Sequence, residues 1–154
     1  MTDKRIKIAK DKAKFVKDLR ASYDTTGPFQ TYVDVMVFAA TLGAKRKKRV
    51  PLLESARDLD PIRREYFENN RCELLINLLA IYETQNHKIL VDDEKAEEQR
   101  LKIFEEYANG GLEILQQELR GAVDYSERIL LIISSEREKQ EHQEEDFDLN
   151  RFLS

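Results

Sequence analysis

Residues 31–42 read TYVDVMVFAATL, and between Tyr32 and Leu42 only Asp34 and Thr41 interrupt the apolar surface. Thr31 and Asp34 stand three apart, the spacing of a capping box with Asp in place of Glu. Gly43 is placed to end the helix in the left-handed conformation. A helix that is apolar nearly all round must be buried on several sides. The chain is therefore limited to folds that surround this helix, either at the centre of a bundle or in the core of a homodimer.

Other segments can supply the surroundings. Phe15, Val16 and Leu19 form a stripe at helical spacing behind Asp11, a suitable cap, with Lys10, Lys12, Lys14, Lys17 and Arg20 on the remaining faces. Asp60-Pro61 marks a helix start, with Ile62, Tyr66 and Phe67 as its apolar face. Residues 73–83 are expected to form another helix, rich in Leu and Ile, and residues 87–91 (HKILV) suit a short strand or an extended connection. Residues 93–108 form an amphipathic pattern burying Leu101, Phe104, Tyr107 and Ala108. Gly110-Gly111 is expected to break or bend that helix before Leu112, Leu115 and Leu119 resume the spacing. Residues 126–138 are the last strong helix.

The expected fold class is all-α, a compact helical bundle. It comprises one helical domain over 1–138, basic over 1–64 and acidic over 65–138, and an acidic tail over 139–154. Residues 4–9 (KRIKIA) alternate, Ile6 and Ile8 opposing Arg5 and Lys7, which suits a short N-terminal strand. A strand followed by two helices is the start of a ribbon–helix–helix arrangement, in which two strands pair across a dimer and enter the major groove. The same pattern fits a helical hairpin with a frayed start.

Composition excludes several classes. Of 154 residues 41% are hydrophobic, more than a disordered chain carries, and only 5 are Gly, too few for a collagenous one. The apolar runs fall far short of the ~20 residues that span a membrane, so no membrane partner is expected. The opening MTDKRIKIAKDK has no apolar core of the kind a secretory signal needs. Cys72 is the one cysteine, which fits a reducing compartment and a cytoplasmic location.

Charge is unevenly placed. Residues 1–64 hold 16 Lys/Arg against 8 Asp/Glu, whereas residues 65–154 hold 10 against 22. Such asymmetry suits a part that meets a polyanion, or two parts that attract one another. The sharpest local feature is Lys45, Arg46, Lys47, Lys48 and Arg49 in succession. Five adjacent cations are well used against phosphates, where binding releases counterions. They equally suit a solvated loop at a helix C-terminus.

Catalytic signals are weak. Cys72, His87 and His142 lack the clustered spacing of a zinc site, and no glycine-rich phosphate loop follows a strand. Asp92, Asp93 and Lys95 superficially match the acid-x-Lys of Mg²⁺-dependent nucleases, but in a chain with 30 acidic residues they read more simply as a helix cap. No enzyme activity, cofactor or metal is expected. The tail carries Phe147, Leu149 and Phe152 as apolar anchors for a partner protein, or for its own domain.

Three stretches carry a family resemblance: residues 27–34 (GPFQTYVD) with 38–45 (FAATLGAK), the basic run ending in 49–52 (RVPL), and 104–113 (FEEYANGGLE). Together they resemble the DNA phosphorothioation-associated protein 4 family, small proteins encoded beside the bacterial Dnd modification and restriction genes. The resemblance implies a setting, sulfur modification of the DNA backbone and defence against foreign DNA, and no catalytic residues. With the charge pattern, it leads to the expectation of a non-catalytic DNA-binding accessory protein. Residues 45–49 would meet phosphates, supported by Arg5, Lys7, Lys12 and Lys14. The alternatives are an adaptor bridging other Dnd-system proteins and a transcriptional regulator of the gene cluster.

Overall fold

A computed structural model of the chain describes residues 4–22, 27–69 and 71–153, those from 144 onward by their backbone alone. Its elements are β1 (Arg5–Ile6), α1 (Ala13–Leu19), α2 (Tyr32–Lys45), β2 (Ile62–Arg63), α3 (Arg64–Asn69), α4 (Glu73–Thr84), α5 (Glu94–Glu118) and α6 (Tyr125–Leu153), with 3-10 turns at Lys10–Lys12 and His87–Leu90. The fold is all-α, β1 and β2 forming a two-stranded antiparallel sheet. The backbone divides into two units, residues 1–117 and 118–154.

In the first unit α2 is buried as its composition demands: Val33, Val35, Met36, Ala39, Ala40 and Leu42 are all inside. The Thr31 hydroxyl caps it by accepting the Asp34 N–H at 3.1 Å. Gly43 does not end the helix. The helix runs on to Lys45, and the left-handed residue is Lys47, with φ of 55°. Nor does Gly110-Gly111 interrupt α5, which is continuous from Glu94 to Glu118.

These three glycines serve packing. A Cβ on Gly111 would strike the Ala39 carbonyl, one on Gly110 the Lys48 carbonyl, and one on Gly43 the Tyr107 carbonyl. Backbone therefore meets backbone where α2 crosses α5, and no larger residue fits. Glycine in a helix interior costs about 1 kcal/mol against alanine. Here the close approach offsets that cost by bringing two long apolar faces together. Phe104 on α5 and Phe67 on α3 meet edge-on beside it, ring centroids 5.4 Å apart.

The N-terminal strand exists, and its partner belongs to the same chain. Arg5 lies opposite Arg63 and Ile6 opposite Ile62. The Ala56 N–H then donates to the Ile8 carbonyl at 2.8 Å, and the Lys10 N–H to the Glu54 carbonyl at 2.9 Å. Ile6 and Ile8 are buried while Lys7 is exposed, as the alternation requires. This pairing also corrects the expected helix start at Pro61. Ile62 is held extended and buried against β1, so α3 begins only at Arg64. After α1 the chain turns out of helix, the Phe29 N–H reaching back to the Leu19 carbonyl at 3.0 Å.

The second unit contains α6, whose start is capped by Asp124 Oδ1 accepting the Glu127 N–H at 3.3 Å. Its backbone passes the expected boundary at residue 138 and stays helical to Leu153. Arg137 with Glu141 and Lys139 with Glu136 add pairs one turn apart.

Gly111→Ala discriminates between glycine as a helix breaker and glycine as a contact. By propensity alone the change stabilises a helix by about 1 kcal/mol. At this crossing it is expected to destabilise the protein by about 2–3 kcal/mol, as overpacking does. Urea denaturation of the two proteins reads the sign.

Candidate interaction surfaces

The basic run follows α2 and is scattered by the turn that ends it. Arg46 and Lys48 return their N–H groups to Leu42 at 3.0 Å and Gly43 at 2.7 Å, and Lys47 takes the left-handed conformation. Lys45 and Lys47 are exposed. Lys48 approaches Glu113 at 3.4 Å. Arg49 turns inward between Glu83 at 2.8 Å and Glu106 at 2.9 Å. Lys45 and Arg46 also have interactions of their own.

Arg49 is the hub of a partly buried network. Glu106 is only 6% exposed, and its backbone carbonyl accepts the Val50 N–H at 3.0 Å. The Tyr107 hydroxyl donates to the other oxygen of Glu83. Burial opposes the Arg49 charge, but the bonds to Glu83 and Glu106 outweigh it and hold its pKa above the usual value. The Tyr107 hydrogen bond, aided by Arg49, keeps the Glu83 carboxyl below the usual range against some desolvation. Desolvation and Glu83 together push Tyr107 up to about 12. Asn109 Nδ2 donates to the carbonyls of Val50 and Pro51 at 3.2 and 3.3 Å, fixing the segment that leaves the network.

The remaining cations proposed for phosphate contact lie apart in their surroundings. Arg5, on β1, is half-buried and has an interaction of its own. Lys7 is exposed, its backbone N–H donating to Glu105 at 2.8 Å. Lys12 is 3% exposed with its ammonium on Asp11 at 2.8 Å. Lys14 is exposed on α1. Lys10 pairs with Glu54, Lys17 with Asp58, Lys4 with Glu97, and Arg64 with Glu68, Glu73 and Glu97. Much of the amino-terminal excess charge is thus met by carboxylates of the same unit. The side chains of Phe147, Leu149 and Phe152 lie outside the described residues.

Two cavities flank residues 51–53. One, of about 720 Å³, is lined by Lys4, Arg5, Lys7, Lys102, Glu98 and Glu105 among others. The second, of about 530 Å³, includes Lys10, Lys12, Glu54 and Asn109. Desolvation pushes Glu105 up to about 7, opposed by the Lys7 N–H and reinforced by Glu106. Among the described residues no three His, Cys, Asp or Glu side chains are grouped to hold a metal ion. Asp93 acts as a cap, its Oδ1 accepting the Lys95 N–H at 3.3 Å. Burial and Asp34 push the Cys72 thiol up, away from a reactive thiolate. No helix among the described residues is long and apolar enough to cross a membrane.

The surface that sequence reasoning missed is on α4. Leu74, Leu78 and Tyr82, one turn apart, are 65%, 52% and 48% exposed, while Ile76, Leu79 and Ala80 are buried. The i, i+4, i+8 spacing is visible in the sequence. The sequence conceals it because the polar residues on one side of the helix, Glu73, Asn77 and Thr84, are half-buried and do not mark the outward face.

Two outcomes follow from the buried carboxyls. Arg49→Ala leaves Glu106 with only the Lys102 ammonium, 4.0 Å away, and is expected to cost about 2–3 kcal/mol, toward the lower end for a broken buried pair because Arg49 is partly solvated. Equilibrium denaturation measures it. For Glu105, the folded pKa near 7 exceeds the usual 4.5, so the folded state holds an extra proton between these values. Stability contributed by this group is complete below about pH 4.5 and falls as pH rises to about 7. Glu105→Gln should remove a decline of roughly 2–3 kcal/mol across that window. An unchanged pH profile contradicts it.

Neither a curated protein nor a solved structure matches the chain. A family does, over residues 5–152, which takes in β1, the α2–α5 crossing, the Arg49 network and α4. The chain belongs to the family of DNA sulphur modification system-associated protein 4.

Proposed function

We propose that the chain is a non-catalytic adaptor joining larger proteins of the DNA sulphur modification system. The carrying observation is the open apolar face of α4, in a unit where many of the cations are already paired with carboxylates. Exposed apolar side chains in a helical row are the usual footprint of helix docking. The carboxy-terminal part of α6, with Phe147, Leu149 and Phe152, is the second contact in this reading.

DNA binding is the alternative, favoured by one observation: Lys7, Lys14, Lys45 and Lys47 are exposed. Phosphate contacts through Lys45 and Lys47 would give a steep salt dependence. A regulator built on a ribbon shared between two chains has less support, because β1 is already paired with β2.

Co-purification from cells expressing the whole system separates these readings. The adaptor reading expects recovery of system proteins to survive Lys45→Gln/Lys47→Gln and to drop on deleting residues 143–154. It also expects the same duplex affinity for phosphorothioated and plain DNA, no tighter than about 1 μM at physiological salt, the non-specific range. Tighter binding whose log–log salt slope falls by about 2 in the double-Gln variant supports DNA contact instead.

A further inference from the structure

We infer that the α4 face receives a basic amphipathic helix from another protein, an inference that rests on the adaptor reading and names the chemistry of its partner. Leu74, Leu78 and Tyr82 recur at one-turn intervals on a 12-residue helix, the spacing that takes the i, i+4, i+7 anchors of a second helix. The face stays apolar between its exposed members, since half-buried Leu75 and Ile81 are its neighbours.

Charge decides the occupant. Residues 65–94, which carry α4 and its flanks, contain Glu65, Glu68, Glu73, Glu83, Asp92, Asp93 and Glu94 against only Arg71 and Lys88. The balance of −5 falls only to −3 when Arg49 and Arg64, which reach Glu83, Glu68 and Glu73 from outside the segment, are added. An apolar row carried on an acidic segment attracts a helix with Lys or Arg beside its apolar stripe and repels an acidic one.

A second copy of this chain is the poorer fit. Apart from Tyr66 on α3, its remaining exposed apolar side chains on α-helices among the described residues, Leu130, Leu131 and Ile133, lie on α6, where residues 125–153 hold 8 Asp/Glu against 4 Lys/Arg. Acidic would face acidic. The basic helix α1 is the poorer fit as well, because Val16 and Leu19 are fully inside its own core and Phe15 is half-buried.

Two synthetic helical peptides test this, sharing one Leu stripe at heptad spacing and flanked by Lys in one and Glu in the other. Fluorescence anisotropy with the full chain should show the Lys peptide bound at least about tenfold more tightly than the Glu peptide at low salt. Leu74→Ser/Leu78→Ser should weaken the Lys peptide about tenfold. Because those side chains are exposed, the helical circular dichroism should be retained. Leu130→Ser/Leu131→Ser should leave binding unchanged. Equal affinity for the two peptides, or affinity insensitive to the α4 substitutions, overturns the inference, as does a dimer by sedimentation that the α4 substitutions dissolve. If system proteins co-purify with the α4 variant as well as with the wild type, the docking site is wrong while the adaptor reading stands. Failure to co-purify with either removes the adaptor reading itself.

Discussion

The first unit depends on one constraint, the backbone-to-backbone crossing of α2 and α5. Gly111 admits the Ala39 carbonyl and Gly43 the Tyr107 carbonyl, while Gly110 admits the Lys48 carbonyl of the turn that follows α2. Close approach lets the all-round apolar α2 be covered, and it brings the turn after α2 against α5. That turn delivers Arg49 to Glu106 and hands Val50 and Pro51 to Asn109. The polar network is therefore a consequence of the crossing. A bulkier residue at the crossing would displace the network along with the core.

Electrostatics then separates two roles that the charge pattern alone left merged. Beyond the left-handed turn at Lys47, the last two of the five adjacent cations turn to carboxylates, Lys48 to Glu113 and Arg49 to Glu83 and Glu106. Arg49 acts as a structural counter-ion for a buried carboxylate, and arginine suits this work because its planar guanidinium reaches two acids at once. Elsewhere Arg64 binds three carboxylates. The attraction between basic and acidic parts operates inside the first unit, leaving fewer cations for a polyanion than counting suggests.

Much of the fold was legible in the sequence for physical reasons. An apolar run behind the Thr31 cap marks α2, Leu and Ile content marks α4, and amphipathic spacing marks α5. The three stretches that carry the family resemblance include Gly43, Arg49, Gly110 and Gly111, and the family match extends over residues 5–152. Errors arose where a local rule met a tertiary demand. Glycines at 43, 110 and 111 read as stops because glycine is a poor helix former, yet a partner backbone had to fit there. Pro61 read as a helix start, yet Ile62 was needed beside Ile6. The open face of α4 was illegible because burial is a property of neighbours, and Leu74 and Leu79 look alike in a string of letters.

On the proposed adaptor reading, this protein meets other proteins through α4 rather than DNA through the basic run. Covalent surface labelling, comparing the chain alone with the chain in the assembled modification system, tests it directly. The account predicts strong protection of Leu74, Leu78 and Tyr82 with Lys45 and Lys47 labelled as before. Protection of Lys45 and Lys47 that appears only when DNA is added, with Leu74, Leu78 and Tyr82 unaltered, would contradict it.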